Sequence, residues 1–258
     1  MGGTSTDQRA CPLAVCDGTG WILGPEDVAR PCECRERVVA RARSRGVASV
    51  LPAKYRGVSF ERPPLTQIAD AVVAPVREYC DQIEANIREG RGLWLFGGPG
   101  TGKTTLAMVT SRIALEAGRS VAIYSMPKLL ARIRRTFDGD AGEQSYLEFF
   151  GRLTGVDLLH IDDLGTENRT EWVTEQLYSI VNERYEAKRS LIVTTNRNEA
   201  ELEQEIGERV VSRLVEMCEL VPVFGDDCRW QTSPRHASEA ALSQAYGKAR
   251  GGGRGPPD

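Results

Sequence analysis

The chain has 258 residues, 41% of them hydrophobic and 27% charged, with a formal net charge of −3. That is enough apolar material for one medium domain plus a small appendage. It argues against wholesale disorder and against a nucleic-acid protein that works by bulk basicity. No apolar run is long enough for a transmembrane helix and the N-terminus lacks a signal-peptide core, so a cytoplasmic chain with no membrane partner is expected.

Residues 1–10 are small and polar. Met1-Gly2-Gly3-Thr4-Ser5-Thr6 formally fits the myristoylation pattern, but we read it as a flexible leader. Four of the seven cysteines follow within the first 34 residues, as Cys11-x4-Cys16 and Cys32-x-Cys34 around Gly18-Thr19-Gly20-Trp21. Clustered cysteines in a cytosolic chain suggest metal more than disulfides, and two short-spaced pairs supply the four soft ligands of tetrahedral Zn²⁺. Free structural thiols and an iron–sulfur cluster are the alternatives. The segment is too poor in apolar residues to fold by burial alone, so Cys11, Cys16, Cys32 and Cys34 with Zn²⁺ would replace a core.

Arg35–Arg45 (RERVVARARSR) reads as one basic helix ended by Gly46, facing DNA, an acidic partner or simply solvent. A linker carrying Pro52, Tyr55, Phe60 and Pro63-Pro64 leads to a helix from about Gln67 to Arg88. Strand and helix then alternate. Strands are predicted at Leu93–Phe96, Val121–Tyr124, Val156–Ile161, Leu191–Thr195 and Leu220–Phe224. Helices are predicted at Lys103–Ala117, Pro127–Phe137, Gln144–Leu153, Thr170–Ala187 and through Ile206–Met217. This pattern predicts an α/β fold of three layers, a parallel sheet covered on both faces. The tail from Ser233, ending in a Gly- and Pro-rich run, reads as disordered. The expected domains are therefore 1–50 (cysteine module and basic helix), 51–91 (linker and lead-in helix), 92–232 (main domain) and 233–258 (tail).

Gly97-Gly98-Pro99-Gly100-Thr101-Gly102-Lys103-Thr104 is a complete G-x-x-x-x-G-K-T between a predicted strand and a predicted helix. Glycines let backbone N–H groups turn inward around an anion, and the helix dipole favours the same charge. Gly98, Pro99, Gly100, Thr101, Gly102, Lys103, Thr104 and Thr105 are the expected ATP contacts. Lys103 would reach the β- and γ-phosphates, and the Thr104 hydroxyl would ligate Mg²⁺.

Leu158-Leu159-His160-Ile161-Asp162-Asp163 is an apolar strand ending in paired acids. Asp162 would hold the Mg²⁺ shell and Asp163 would act as general base toward the attacking water. An aspartate is one methylene shorter than the glutamate many ATPases use, so slow turnover is expected. Leu191–Thr195 is a further buried strand ending at Asn196, which could orient that water.

Taken together, the phosphate loop, Asp162-Asp163-Leu164-Gly165-Thr166-Glu167 with Glu171-Trp172, Thr194-Thr195-Asn196 and Gly207-Glu208-Arg209-Val210-Val211-Ser212-Arg213-Leu214 resemble AAA+ ATPases of the DnaC/DnaI replicative-helicase loader group. The IstB transposition helpers are close relatives, and the resemblance covers roughly residues 52–230. It implies that Asn196 is the sensor-1 residue and that an arginine finger, Arg213 or second Arg209, reaches a neighbouring subunit, hence a homo-oligomer in the ATP state. It implies a further nucleotide-sensing arginine at Arg229, and single-stranded DNA contacts from the segment holding Lys128, Arg132, Arg134, Arg135, Tyr146, Phe149 and Phe150. It also implies that the cysteine module binds a hexameric replicative DNA helicase. The expected function is an ATP-switched loader delivering that helicase onto single-stranded DNA. A transposition helper and a non-hydrolysing ATP-binding zinc adaptor are the rivals.

Overall fold

Four apolar segments and a more exposed edge strand set the frame, because strands buried on both faces need apolar side chains pointing both ways. In the computed structural model, which describes residues 11, 13–23, 28–43, 51–137, 142–166 and 169–225, these are β3 (Gly92–Phe96), β4 (Val121–Ser125), β5 (Leu158–Asp162), β6 (Ser190–Thr195) and β7 (Cys218–Pro222). They form one parallel sheet in the order β4-β5-β6-β3-β7. The 1–10 leader, the end of the basic helix at Arg45, Glu167, Arg229 and the 233–258 tail lie outside the described residues.

The two-residue period divides the core. Leu93, Leu95, Val121, Ile123, Leu158 and Ile192 face one cluster, completed by α2 (Asp70–Asp81), α3 (Ile83–Glu89) and α4 (Lys103–Glu116). Trp94, Ala122, Tyr124, Leu159, Ile161, Leu191 and Val193 face the other. That side is covered by α5 (Met126–Phe137), α6 (Gly142–Gly155), α7 (Glu171–Glu186), α8 (Glu199–Ile206) and α9 (Glu208–Met217). The result is the expected three-layer α/β arrangement.

Several boundaries differ from the sequence expectation. The lead-in helix is two helices, separated where Gln82 leaves helical geometry. The helix expected through Ile206–Met217 is α9, and a further helix precedes it: Asn198 and Glu201 form a capping box that starts α8, and Gly207, at φ 93°, turns the chain into α9. The last strand starts at Cys218 rather than Leu220, because Gly92 pairs with Cys218 and draws it into register. Near the N-terminus, β1 (Trp21–Leu23) and β2 (Ala29–Pro31) form an antiparallel hairpin, followed by α1 (Arg35–Arg43). No helix among the described residues is long and apolar enough to cross a membrane.

Candidate functional site

All five parallel strands end at one edge of the sheet, where ligand crevices of open α/β folds occur. β3 runs into the glycine loop, and its conformation is set by a close approach. Val223 N–H donates to Phe96 O at 2.8 Å, and a Cβ on Gly97 (φ 145°) would lie 2.2 Å from Val223 O. Thr101 Oγ1 donates to Gly98 O at 3.0 Å, closing the loop on itself. Pro99 is exposed at its tip, and Thr104 and Thr105 are half-buried on the first turn of α4. Lys103 is only 5% exposed, its Nζ donating to Gly97 O at 2.9 Å and Gly98 O at 2.6 Å. The loop's carbonyls thus hold the ammonium at the mouth of a helix N-terminus whose first turn carries no acid.

One strand away, Thr194 organises the acidic turn. Its Oγ1 donates to Asp162 Oδ1 at 2.7 Å and accepts from Asp163 N–H at 2.9 Å. Asp163 has φ 60°, an uncommon conformation for a non-glycine residue that aspartate tolerates better than most. Thr166 Oγ1 donates to Asp163 O at 2.9 Å, Leu164 N–H to Thr194 O at 2.8 Å and Thr195 Oγ1 to Leu164 O at 2.7 Å. Because β6 lies between β3 and β5, with Thr195 opposite Phe96, the exposed Asn196 emerges between the phosphate loop and the acids. Lys103, Thr104, Asp162, Asp163 and Asn196 therefore share one edge.

Behind the acids, His160 is fully buried. Ser111 Oγ donates its single proton to Ala107 O at 2.9 Å, so His160 Nδ1, 3.0 Å away, is the donor to Ser111, and Nε2 finds no partner among the described residues. Burial pushes the imidazole down to about 4, against a smaller opposing effect from Asp162.

The two candidate arginines lie on α9. Arg209 is exposed. Arg213 is half-buried with its guanidinium 4.6 Å from the Tyr185 ring centre and 6.0 Å from that of Tyr178, both on α7.

At the other end of the chain, the sulfurs of Cys11, Cys16, Cys32 and Cys34 all lie within 4.8 Å of one another, with Cys11–Cys32 at 3.9 Å and Cys16–Cys34 at 3.5 Å. Tetrahedral ligation at a Zn–S distance of about 2.3 Å sets sulfurs about 3.8 Å apart. The four thiols thus fit one zinc ion. Three of them are buried, and Gly18 N–H donates to Cys16 Sγ at 3.4 Å. Backbone N–H groups of Cys16 and Val15 bring the Cys11 thiol down to about 6, whereas burial pushes Cys34 up. The Arg35 guanidinium stacks 3.6 Å over Trp21, fixing the hairpin to α1.

On α5, Lys128, Arg132, Arg134 and Arg135 are all exposed. The aromatics named with them are arranged for packing. Phe149 is 2% exposed in the core, Phe150 packs against it, and Tyr146 stacks on Phe137 at 4.8 Å while its hydroxyl donates to Gln176 at 2.9 Å. Arg132 and Arg134 cover Phe149 and Trp172 at 5.5 and 4.8 Å. In the linker, Phe60 is buried and Tyr55 packs against the same cluster.

Three residues escape sequence reasoning, two at the nucleotide edge and one at the opposite end of the sheet. Thr194 stands in the Thr194-Thr195-Asn196 run, but nothing local ties its hydroxyl to acids on another strand. Ile68 meets the phosphate loop, since a Cβ on Gly102 would lie 2.4 Å from its Cδ1. Arg184, fully buried, has no sequence signal to separate it from a surface arginine of α7.

Comparison with known proteins agrees with this geometry. The chain is 30% identical over 143 residues to the replicative helicase loader DnaC of Escherichia coli (strain K12), an alignment covering 55% of this chain and 56% of that protein. It thus spans little more than half the length of that relative. A crystal structure of the DnaC helicase loader matches with a TM-score of 0.58 at 28% identity, over 67% of this chain and 100% of that one. Domain III of the Thermotoga maritima replication initiation protein DnaA shares the fold alone, with a TM-score of 0.55 at 21% identity, over 75% of this chain and 77% of that one. Residues 80–236 match the IstB-like ATP binding protein family. With more than half its length inside that match and a complete phosphate loop at the sheet edge, the chain belongs to the IstB-like ATP-binding family of P-loop AAA+ proteins.

Proposed function

We propose that this chain is an ATP-switched loader that binds a hexameric replicative DNA helicase and delivers it onto single-stranded DNA. The observation that carries the ATPase half is the shared edge: a buried Lys103 and a hydroxyl-clamped Asp162 stand at strand ends separated by the one strand that ends in Asn196. The loader half is supported by the 30% identity to a replicative helicase loader.

In this reading the loop N–H groups and Lys103 bind the triphosphate, and Thr104 with Asp162 hold a magnesium ion, which offsets phosphate charge when bound. Asp163 takes the proton of the attacking water at a carboxylate oxygen, and Asn196 orients that water. Arg213, with Arg209 second, stabilises the γ-phosphate of a neighbouring copy, and Arg229 senses the nucleotide. A homo-oligomer forms in the ATP state. Cys11, Cys16, Cys32 and Cys34 hold zinc, and residues 1–50 grip the helicase. Residues 51–91 serve as linker, 92–232 as the ATPase domain and 233–258 as a tail. The exposed basic face of α5 contacts the DNA backbone.

Co-purification with the host's replicative helicase, with and without ATP, tests the reading. Capture that depends on ATP supports it, and absence of capture in every nucleotide state refutes it. The family match favours one second reading, a transposition helper, for which a transposase would be captured instead. Steady-state phosphate release, abolished by Lys103→Ala, separates both from a non-hydrolysing adaptor.

A further inference from the structure

Arg213 is held in an unusual way for an arginine meant to meet phosphate. Its guanidinium lies over the rings of Tyr185 and Tyr178, and among the described residues no ion pair holds it. The Tyr185 ring is itself fixed, because its hydroxyl donates to Glu216 Oε2 at 2.5 Å, from the next turn of α9. Glu216 is thereby engaged with the phenol although it lines the same cavity as the arginine. That cavity, about 470 Å³, is bounded by Tyr178, Glu208, Arg209, Ser212, Arg213 and Glu216.

The chemistry of this arrangement favours a poised cation. A carboxylate partner would neutralise the guanidinium and occupy its N–H edge. An aromatic face instead attracts the cation through its quadrupole and leaves the N–H edge open to a second, anionic ligand. It also removes rotamer freedom that a long exposed side chain would otherwise lose on binding. Arg209, one turn earlier and exposed, has no such ring beneath it among the described residues.

We infer that Tyr185, with Tyr178, is a positioning residue that holds Arg213 extended toward the triphosphate of a neighbouring copy. The inference rests on the proposed reading of Arg213 as the residue acting in trans.

The test uses the full chain with Mg-ATP and single-stranded DNA, measuring phosphate release, and sedimentation for ATP-dependent self-association. Tyr185→Leu should lower kcat about fivefold to tenfold with KM nearly unchanged, the scale of one lost cation–π contact. Tyr185→Phe keeps the ring but releases Glu216, so its kcat should fall between those of wild type and Tyr185→Leu. Adding Arg213→Ala to Tyr185→Leu should give no less activity than Arg213→Ala alone, since the two act as one unit. Self-association should stay at the wild-type level in the tyrosine variants. If Arg213→Ala abolishes turnover while Tyr185→Leu equals wild type, the tyrosines position nothing and the inference fails alone. It fails in the same way if Tyr185→Phe loses as much as Tyr185→Leu, or if Tyr185→Leu abolishes self-association. If Arg213→Ala itself leaves turnover intact, the reading beneath the inference fails first.

Discussion

The Thr194 hydroxyl bridges the two acids that the strand end presents, donating to one side chain and accepting from the other's backbone N–H. Thr194→Val keeps the shape and removes both bonds, loosening the link between β6 and the acidic turn. We expect a loss of about 1–2 kcal/mol in stability, and a larger proportional fall in phosphate release than in ATP affinity. Urea unfolding and steady-state kinetics check this, and equal falls in binding and turnover would contradict it. His160 gives a pH dependence of definite sign. Its folded pKa, about 4, lies below the ordinary 6.5, so the unfolded chain takes up a proton that the folded chain refuses. The resulting stability is full above pH 6.5 and is lost as the pH falls toward 4, up to about 3 kcal/mol. Without magnesium, the wild-type urea midpoint should drop more between pH 7.5 and 5 than that of His160→Asn. Parallel pH profiles would refute this.

At the scale of elements, the last turn of α7 carries Arg184 into the sheet's far edge. Its guanidinium donates to the carbonyls of Leu153, Thr154, Val156, Asp157 and Ser190, tying the end of α6 and the start of β5 to β6. Removing it leaves buried acceptors unpaired, so Arg184→Ala should cost about 3–5 kcal/mol. Arg184→Lys should rescue little, because a point charge cannot replace the planar fork. Calorimetric melting of the two variants beside wild type checks this, and an unchanged melting temperature would contradict it. Arg184 also marks the limit of what sequence conveys. The phosphate loop was legible because its chemistry needs contiguous residues, and Asp162 and Asn196 because apolar strands lead directly to them. That the one arginine of α7 is buried depends on how α6 and β5 meet, which no local pattern encodes. The start of α8 was written in the Asn198–Glu201 capping box and its end in Gly207, but the helix is short and so carries little apolar period to mark it. The β1–β2 hairpin was illegible because four thiols, not apolar periodicity, arrange it.

For the molecule as a whole, α4 separates two functions. It begins at Lys103 and, at about 1.5 Å per residue, ends roughly 20 Å away near Gly118 and Arg119, where the cysteine module packs. Arg37 lies against Gly118, and Arg119 bridges Glu36 of the module and Glu84 of α3 at 3.9 and 3.5 Å. Such exposed pairs contribute less than about 1 kcal/mol each, so the module should be separable from the nucleotide edge. Cys16→Ser is expected to lose zinc, measured by elemental analysis, and helicase capture, while ATP affinity stays within about twofold of wild type. Native protein with no zinc would refute the metal assignment, and joint loss of ATP binding would refute the separation. The central claim is that Lys103 and Asp162 seat one magnesium-bound triphosphate at the sheet edge. Titration calorimetry of Mg-ATP into well-folded protein tests it most directly. One site per chain, lost in Lys103→Ala and retained in Arg213→Ala, is the expected result, and no heat with wild type, or undiminished binding to Lys103→Ala, would contradict it.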